Sequence, residues 1–262
     1  MSRLAVSHNL AKSSLARLSV ACLALLLPLM SLGGALRVGP TRIDLSAKRP
    51  VVALEVQNAA DGPTLAQIDV FTWTQEGAGD VLVPTTDVIA TPLVINLAAG
   101  ETRVVRVGLR EPNRTAVERS YRLFVREVVP TPAPGTGLQF ALRIGVPVFA
   151  LPVDARPGAV SAPGELSWRW MPDINSCATV QLANPSAHHD RLLTAQMLSR
   201  SGEVLWRSAE PVYVLPMSKR SLSPAVCPPS IKEAVTLQLQ MESGTLSLPV
   251  EAPSLVVDAN SR

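Results

Sequence analysis

Short runs that alternate apolar and polar residues follow one another along the chain, and long helical patterns are absent. Clear runs occupy residues 51–58, 66–74, 93–97 and 102–109, and glycine, proline, asparagine or aspartate bounds them. Runs of this length with a period of two are typical of β-strands whose faces differ in burial. With a first strand at 38–43 and a long pair of strands at 121–149 they make about seven strands, the number found in an immunoglobulin-like sandwich.

A second group of strand-like runs follows a segment rich in proline and small residues. These runs lie at 166–171, 177–184, 192–199, 204–207, 234–241 and 246–250. We therefore predict an all-β chain of two immunoglobulin-like β-sandwich domains. The N-terminal domain is predicted at 36–152, the linker at 153–158 and the C-terminal β-sandwich domain at 159–262.

One apolar strand closes the predicted first domain. One of its faces carries the apolar side chains of Leu138, Phe140, Leu142, Ile144, Val146 and Val148. Pro147 has no N–H to donate, which places the strand, or at least that end of it, at a sheet edge. Natural proteins normally blunt long apolar edges because such edges template aggregation. The pattern favours a partner that adds a strand here, and the alternative is that these side chains bury in the domain's own core.

Residues 1–35 are typical of a secretory leader. Three basic residues come first, residues 20–32 are apolar, and the small residues at 33–35 suit cleavage. The apolar run is short for a membrane span, so we predict an exported chain with no stable membrane insertion after cleavage. An uncleaved anchor is the alternative interpretation.

Charge and cysteine content change once the leader is set aside. Three of the 24 basic residues and none of the 21 acidic residues lie in it, which leaves 21 of each sign. This balance, without a basic block, predicts no nucleic-acid partner. The two cysteines that remain, Cys177 and Cys227, are expected to form a disulfide in an exported protein, and two buried free thiols are the alternative.

The residues that carry enzyme chemistry are scarce. His188 and His189 are the two histidines outside the leader, and their neighbours predict a surface turn. Adjacent residues on a strand point to opposite faces, so these histidines make a poor pair of metal ligands. The sequence has no nucleophile elbow, phosphate loop or zinc-binding spacing. We predict a protein that is not an enzyme and that uses no metal or cofactor.

Three segments carry a family resemblance. They are 38–43 (VGPTRI), 121–130 (YRLFVREVVP) and 142–149 (LRIGVPVF), in this order and spacing. The chain thereby resembles the PapD-like periplasmic chaperones of chaperone–usher pilus assembly, in the branch that serves archaic or spore-coat-like pili. The resemblance implies an L-shaped arrangement of the two sandwiches and a periplasmic location. It also implies pilus subunits and an outer-membrane usher as partners.

The resemblance implies particular site residues as well. Leu138, Phe140, Leu142, Ile144 and Val146 would form the strand donated to an incomplete subunit. An early arginine, here Arg42, would hold the C-terminal carboxylate of the subunit, since the guanidinium fork suits a carboxylate.

The second basic anchor of the family is usually a lysine, and Gly145 stands in that slot. This departure leaves Arg143 or Arg122 to supply the second positive charge. Glu127 is a candidate for the charge network between the domains. The donor strand of the free chaperone is also a candidate for self-capping by dimerisation. The alternative to a chaperone is a structural or adhesive two-sandwich surface protein, or a pilus subunit itself.

Overall fold

The computed structural model describes residues 36–77, 79–128, 140–153, 167–172, 178–208, 210–223 and 233–250. Its strands form two β-sandwiches, and no α-helix occurs among these residues. The strands of the first sandwich are β1 (Leu36–Gly39), β2 (Ile43–Leu45), β3 (Val51–Asn58), β4 (Thr64–Glu76), β5 (Gly79–Pro84), β6 (Val88–Thr91), β7 (Val94–Leu97), β8 (Thr102–Leu109), β9 (Arg119–Val128) and β10 (Arg143–Ala150). Those of the second are β11 (Ser167–Pro172), β12 (Ala178–Asn184), β13 (Asp190–Leu198), β14 (Val204–Arg207), β15 (Val212–Val214), β16 (Ser218–Leu222), β17 (Thr236–Met241) and β18 (Gly244–Pro249).

The first sandwich packs two sheets face to face. One sheet has the strand order β1-β3-β8-β6, and the other has the order β2-β10-β9-β4-β5 with β7 also paired to β4. Strand β3 shows why the sequence adopts this structure, since Val52, Leu54 and Val56 are buried while the residues between them face outward. Burying side chains of this size contributes roughly 1.5–3 kcal/mol each. The alternation along β3 therefore both selects a strand and fixes which face is inward.

The predicted strand at 38–43 divides into two. Strand β1 pairs antiparallel with β3 in one sheet, whereas β2 pairs parallel with β10 in the other. Pro40 lies between them and has no N–H for a ladder, so pairing with β3 ends at Gly39. The chain thus passes from one sheet to the other immediately before Arg42.

The second sandwich has the same plan with fewer strands. Its sheets have the orders β11-β12-β16 and β14-β13-β17-β18, with β15 also paired to β13. Its core contains Leu182, Leu192, Met197, Leu237 and Leu239, each 1% exposed or less. Leu237 and Leu239 alternate along β17, whereas an irregularity of β13 between Leu192 and Thr194 places Leu192 and Met197 on the buried face five positions apart.

A smaller apolar cluster joins the two sandwiches. Trp73, Phe149 and Leu151 from the first sandwich pack with Leu215 from the second, and each is 3% exposed or less. Gln75 reinforces this junction, because its Nε2 donates to the Tyr213 carbonyl at 2.8 Å while its Oε1 accepts from the Leu215 N–H at 2.9 Å. The junction places the start of β2 opposite the β17–β18 hairpin.

Several sequence predictions lie outside the described residues. These are the leader at 1–35, Leu138 of the donor strand, Cys177, Cys227 and most of the linker at 153–158. Within the part of the chain that the structure describes, no helix is long and apolar enough to cross a membrane.

Candidate functional site

A cleft of about 690 Å³ lies between the two sandwiches. The first sandwich contributes residues from the turn before β2 and from β4, β5, β9 and β10, and the second contributes residues around β13, β15, β16 and the β17–β18 turn. The lining includes Pro40, Thr41, Arg42, Trp73, Asp80, Arg122, Gly145, Pro147, Arg191, Glu210, Pro211, Val212, Tyr213, Arg220 and Glu242. Four arginines therefore meet three acidic side chains in one cleft.

Arg42 is held by acidic side chains from both sandwiches. Its Nη1 donates to Oε1 of Glu242 at 2.7 Å, and its Nε lies 3.4 Å from Oδ1 of Asp44. Burial lowers the pKa of Arg42, but the negative charges of Asp44 and Glu242 outweigh that effect and raise the pKa above its ordinary value. Arg42 is therefore a fixed positive charge at the mouth of the cleft, with the carboxylate of Glu242 already bound.

Arg122 reaches the same cleft from β9. Its guanidinium carbon lies 4.4 Å from the centre of the Trp73 ring, a cation–π distance. Burial lowers the pKa of Arg122, and the negative charge of Asp80 offsets this lowering only in part. Among the described residues no carboxylate forms an ion pair with it. Arg122 is therefore a desolvated cation stacked on an aromatic face.

Gly145 of β10 lies beside Arg122 and Phe124. A Cβ atom at Gly145 would lie 3.0 Å from Cε1 of Phe124 and 3.5 Å from Nε of Arg122. The Arg122 guanidinium therefore lies close to the backbone of β10 at the slot where the resemblance led us to expect a lysine. A side chain at 145 would crowd the Phe124 ring, while it would be in ordinary contact with Arg122.

Tyr213 lies within reach of three of the cleft's arginines. Burial raises its pKa, although the positive charges of Arg191, Arg42 and Arg122 act in the opposite direction. The guanidinium carbon of Arg191 is 5.5 Å from the Tyr213 ring centre. This tyrosine from the second sandwich therefore lies among three arginines and Glu242 of the cleft.

Arg143 does not line this cleft. Its guanidinium carbon stacks 3.6 Å from the ring centre of Phe124, and Phe124 packs edge-on against Phe71 with the ring centres 5.6 Å apart. The structure therefore brings Arg42 and Arg122 together and leaves Arg143 outside, farther along β10.

The predicted donor strand is shorter than the sequence pattern suggests. Strand β10 begins at Arg143, and Phe140 before it is 79% exposed. Leu142 and Ile144 are half-buried and pack against the first core, whereas Val146 is 1% exposed and lies within that core. The prediction of Val146 as a donated side chain is therefore not supported, since the chain's own sandwich already encloses it.

The edge of β10 is open over only part of its length. Strand β2 pairs with residues 148–150, so the prediction of a free edge at the proline end is wrong. The N–H of Glu127 donates to the Leu142 carbonyl at 2.8 Å, which makes these two residues a hydrogen-bonded pair between β9 and β10. Because such pairs alternate along an antiparallel ladder, the backbone groups of Arg143, Gly145 and Pro147 point away from β9. On that side no described strand pairs with Arg143 or Gly145, whereas the parallel pairing of Val148 with Ile43 brings the Pro147 carbonyl to the start of β2.

Glu127 lies away from the contact between the sandwiches. Besides its backbone bond, its Oε2 accepts from the Leu142 N–H at 3.4 Å. It therefore fastens the start of the apolar segment to β9. The predicted role between the domains is not supported by this position, because Glu127 lies at the opposite end of β9 from the junction.

A buried pair at the junction was missed by the sequence analysis. Glu118 and His189 come from different sandwiches, and Nδ1 of His189 lies 2.8 Å from Oε1 of Glu118. The His189 ring is fully buried and stacks on Phe149 with the ring centres 3.6 Å apart. The predicted surface turn is therefore wrong for His189. No group of metal-ligating side chains occurs within the described ranges.

Comparisons with known proteins agree with this architecture. Residues 35–155 match the family model of the pili and flagellar-assembly chaperone, PapD N-terminal domain. A search of curated protein sequences returned no match.

Three solved structures illustrate the similarity across both sandwiches. One is the CsuC–CsuE chaperone–tip subunit pre-assembly complex of Acinetobacter baumannii, with 21% identity over 82% of this chain and 97% of that chain, and a TM-score of 0.62. Another is the Pseudomonas aeruginosa CupB2 chaperone, with 21% identity over 82% of this chain and 100% of that chain, and a TM-score of 0.56. The third is the Salmonella enterica SafA pilin–SafB chaperone complex, with 17% identity over 82% of this chain and 96% of that chain, and a TM-score of 0.56. The predicted all-β fold is confirmed, and the chain has the two-domain β-sandwich fold of these chaperones.

Proposed function

We propose that the protein is a periplasmic pilus-assembly chaperone that binds incomplete pilus subunits by donating a strand and delivers them to an outer-membrane usher. The observation that carries this proposal is the open edge of β10 beside the cleft in which Arg42 and Arg122 lie. A polypeptide can pair with the open edge of β10 while its C-terminal carboxylate binds Arg42 and Arg122. The family match over residues 35–155 and the complexes with subunits among the similar structures support it.

The donated surface consists of Phe140, Leu142 and Ile144, with Leu138 before them. Phe140 is exposed, and the two aliphatic side chains are half-buried at the open end of the first core. Beside them, the backbone groups of Arg143 and Gly145 provide the hydrogen bonds for an added strand. A subunit that lacks its last strand would pair with these backbone groups and bury the apolar side chains in its own groove.

The carboxylate anchor consists of Arg42 and Arg122. Both line the cleft, and Arg122 lies beside Gly145 of β10. Arg122 thus takes the place of the family lysine from the adjacent strand. An arginine stacked on Trp73 retains its planar fork for a carboxylate, and its partial desolvation strengthens that interaction.

The remaining steps follow from the same mechanism. No nucleotide is required, because a better-fitting donor strand from the next subunit replaces β10 when the subunit is released.

We also propose the archaic pilus branch, the cleaved leader at 1–35, the domains at 36–152 and 159–262, and the Cys177–Cys227 disulfide. The open edge can be protected by dimerisation in the absence of subunit.

A capture experiment tests this function. The tagged protein is recovered from the periplasm of its own host, and bound proteins are identified by mass spectrometry beside Arg42→Ala. We expect wild type to recover a small exported β-rich subunit and Arg42→Ala to lose it. Arg103→Ala is the matched control, since that arginine pairs with Glu101 on an exposed strand far from the cleft.

The alternative function, a structural or adhesive surface protein, gives a different result. Such a protein would recover no subunit, or would recover it equally well with Arg42→Ala. Either outcome would overturn the chaperone proposal.

A further inference from the structure

The carboxylate-binding face of Arg42 is occupied in the chain by itself. Glu242 belongs to the turn between β17 and β18 in the second sandwich, 200 positions from Arg42. Its Oε1 accepts a 2.7 Å hydrogen bond from the Arg42 Nη1, and Asp44 lies on the Nε side of the same guanidinium. Two internal carboxylates therefore already neutralise the charge that the proposed function assigns to a ligand.

Backbone hydrogen bonds hold the turn that carries Glu242, whereas within the described residues Arg42 alone donates to its side chain. The Glu242 N–H donates to the Arg191 carbonyl at 2.8 Å, and the hydroxyl of Ser243 donates to Asp190. The Glu242 side chain remains one-third exposed and has no other hydrogen bond among the described residues. It can rotate away from Arg42 without disturbing the backbone of the hairpin.

Arg42 and Arg122 differ in the number of carboxylates that already surround them. At Arg122 no carboxylate of the described residues lies within ion-pair distance. At Arg42 a third carboxylate would join two others around one guanidinium, where like charges repel. The ligand must therefore displace Glu242.

We propose that Glu242 is a resident competitor that makes the Arg42 site selective for the carboxylate of a polypeptide paired along β10. Free small carboxylates lack the strand contacts and compete poorly with Glu242. A carboxylate attached to a bound strand arrives at high effective concentration and replaces it. This inference rests on the proposed function for the identity of the ligand, but the competition is a property of the cleft itself.

Peptide binding by the full-length protein tests the competition. The probe is a short synthetic peptide of alternating threonine and valine, prepared with a free C-terminal carboxylate and as its C-terminal amide. Alternation suits pairing along β10 with every second side chain facing Leu142 and Ile144. We expect Glu242→Gln to bind the carboxylate peptide about two- to fivefold more tightly than wild type, the range for a partly exposed ion pair. Binding of the amide should not change.

Glu210→Gln is the matched control. Glu210 lines the same cleft without an ion pair to Arg42, and its replacement by glutamine changes the net charge by the same amount. An equal gain in Glu210→Gln would overturn the inference in favour of a general electrostatic effect. The inference would also be overturned if wild type and Glu242→Gln bound the carboxylate peptide with equal affinity. If both proteins still preferred the carboxylate peptide to the amide, the proposed function would stand. If neither protein distinguishes carboxylate from amide, the proposed anchor itself fails.

Discussion

At the scale of single residues, the function of the cleft depends on which arginine is available to a ligand. Arg122 and Arg143 are both candidates from the sequence, since Arg143 lies two residues before the slot at Gly145 and Arg122 lies on the preceding strand. Packing separates them, because Arg122 stacks on Trp73 inside the cleft while Arg143 stacks on Phe124 outside it. The two residues therefore make a matched pair for mutation.

We expect Arg122→Gln to weaken subunit binding by about 1.5–3 kcal/mol, the usual contribution of a hydrogen bond to a charged group. Arg122→Lys should lose less, because it retains the charge and lacks only the fork. Titration calorimetry with a purified subunit peptide measures the change. Arg143→Gln is the control, and a loss as large as that of Arg122→Gln would reassign the anchor to Arg143.

Tyr121 gives a prediction about pH. Burial raises its pKa to about 12, and its hydroxyl donates to Asp87 at 3.1 Å. Because the folded chain holds this proton more tightly than the unfolded chain does, its stabilising effect is complete below pH 10 and is lost as pH rises towards 12. Between pH 9 and pH 11 wild type should lose about 1 kcal/mol more unfolding free energy than Tyr121→Phe. Parallel urea titrations would show no such difference if Tyr121 ionised normally.

At the scale of elements, β10 serves two purposes along its length. Its second half is enclosed by β2, β9 and the first core, while its first half has an open edge. The side chains change from half-buried at Ile144 to fully buried at Val146 within two residues. A partner strand can therefore use the first half without disturbing the second.

This division predicts that substitutions two residues apart have different effects. Ile144→Ser should abolish most subunit capture and lower the unfolding free energy by only about 1 kcal/mol, because this side chain is half-buried. Val146→Ala should lower the unfolding free energy by about 2 kcal/mol, the cost of removing buried methyl groups. Capture assays and urea unfolding of both variants separate the two effects. Loss of stability without loss of capture in Ile144→Ser would place that side chain in the core instead.

Several strands were predictable from the local alternation of apolar and polar residues. Alternation predicted β3 and β8 with their observed bounds, because each has one buried and one exposed face. It could not predict that β2 covers the proline end of β10, since that pairing joins residues more than a hundred positions apart. The same reason explains why Glu242 and His189 were missed, as their partners lie in the other sandwich.

At the scale of the whole molecule, the cleft exists because the two sandwiches are held together by a small buried junction. Phe149 belongs to β10 and stacks on His189, so the proposed donor strand is also part of that junction. Glu118 completes it through its hydrogen bond to His189. Strand donation and the relative positions of Arg42 and Glu242 therefore depend on the same contacts.

The Glu118–His189 pair consequently predicts a change in cooperativity. Glu118→Ala leaves the buried His189 Nδ1 without its partner, which costs about 1–3 kcal/mol. Because this cost falls on the junction rather than on either core, we expect the two sandwiches to unfold in separate calorimetric transitions, with the second sandwich melting at a lower temperature. Glu118→Gln retains an oxygen acceptor and should keep a single transition. A uniform shift of one transition in Glu118→Ala would show instead that the pair stabilises the whole molecule and that the sandwiches remain coupled without it.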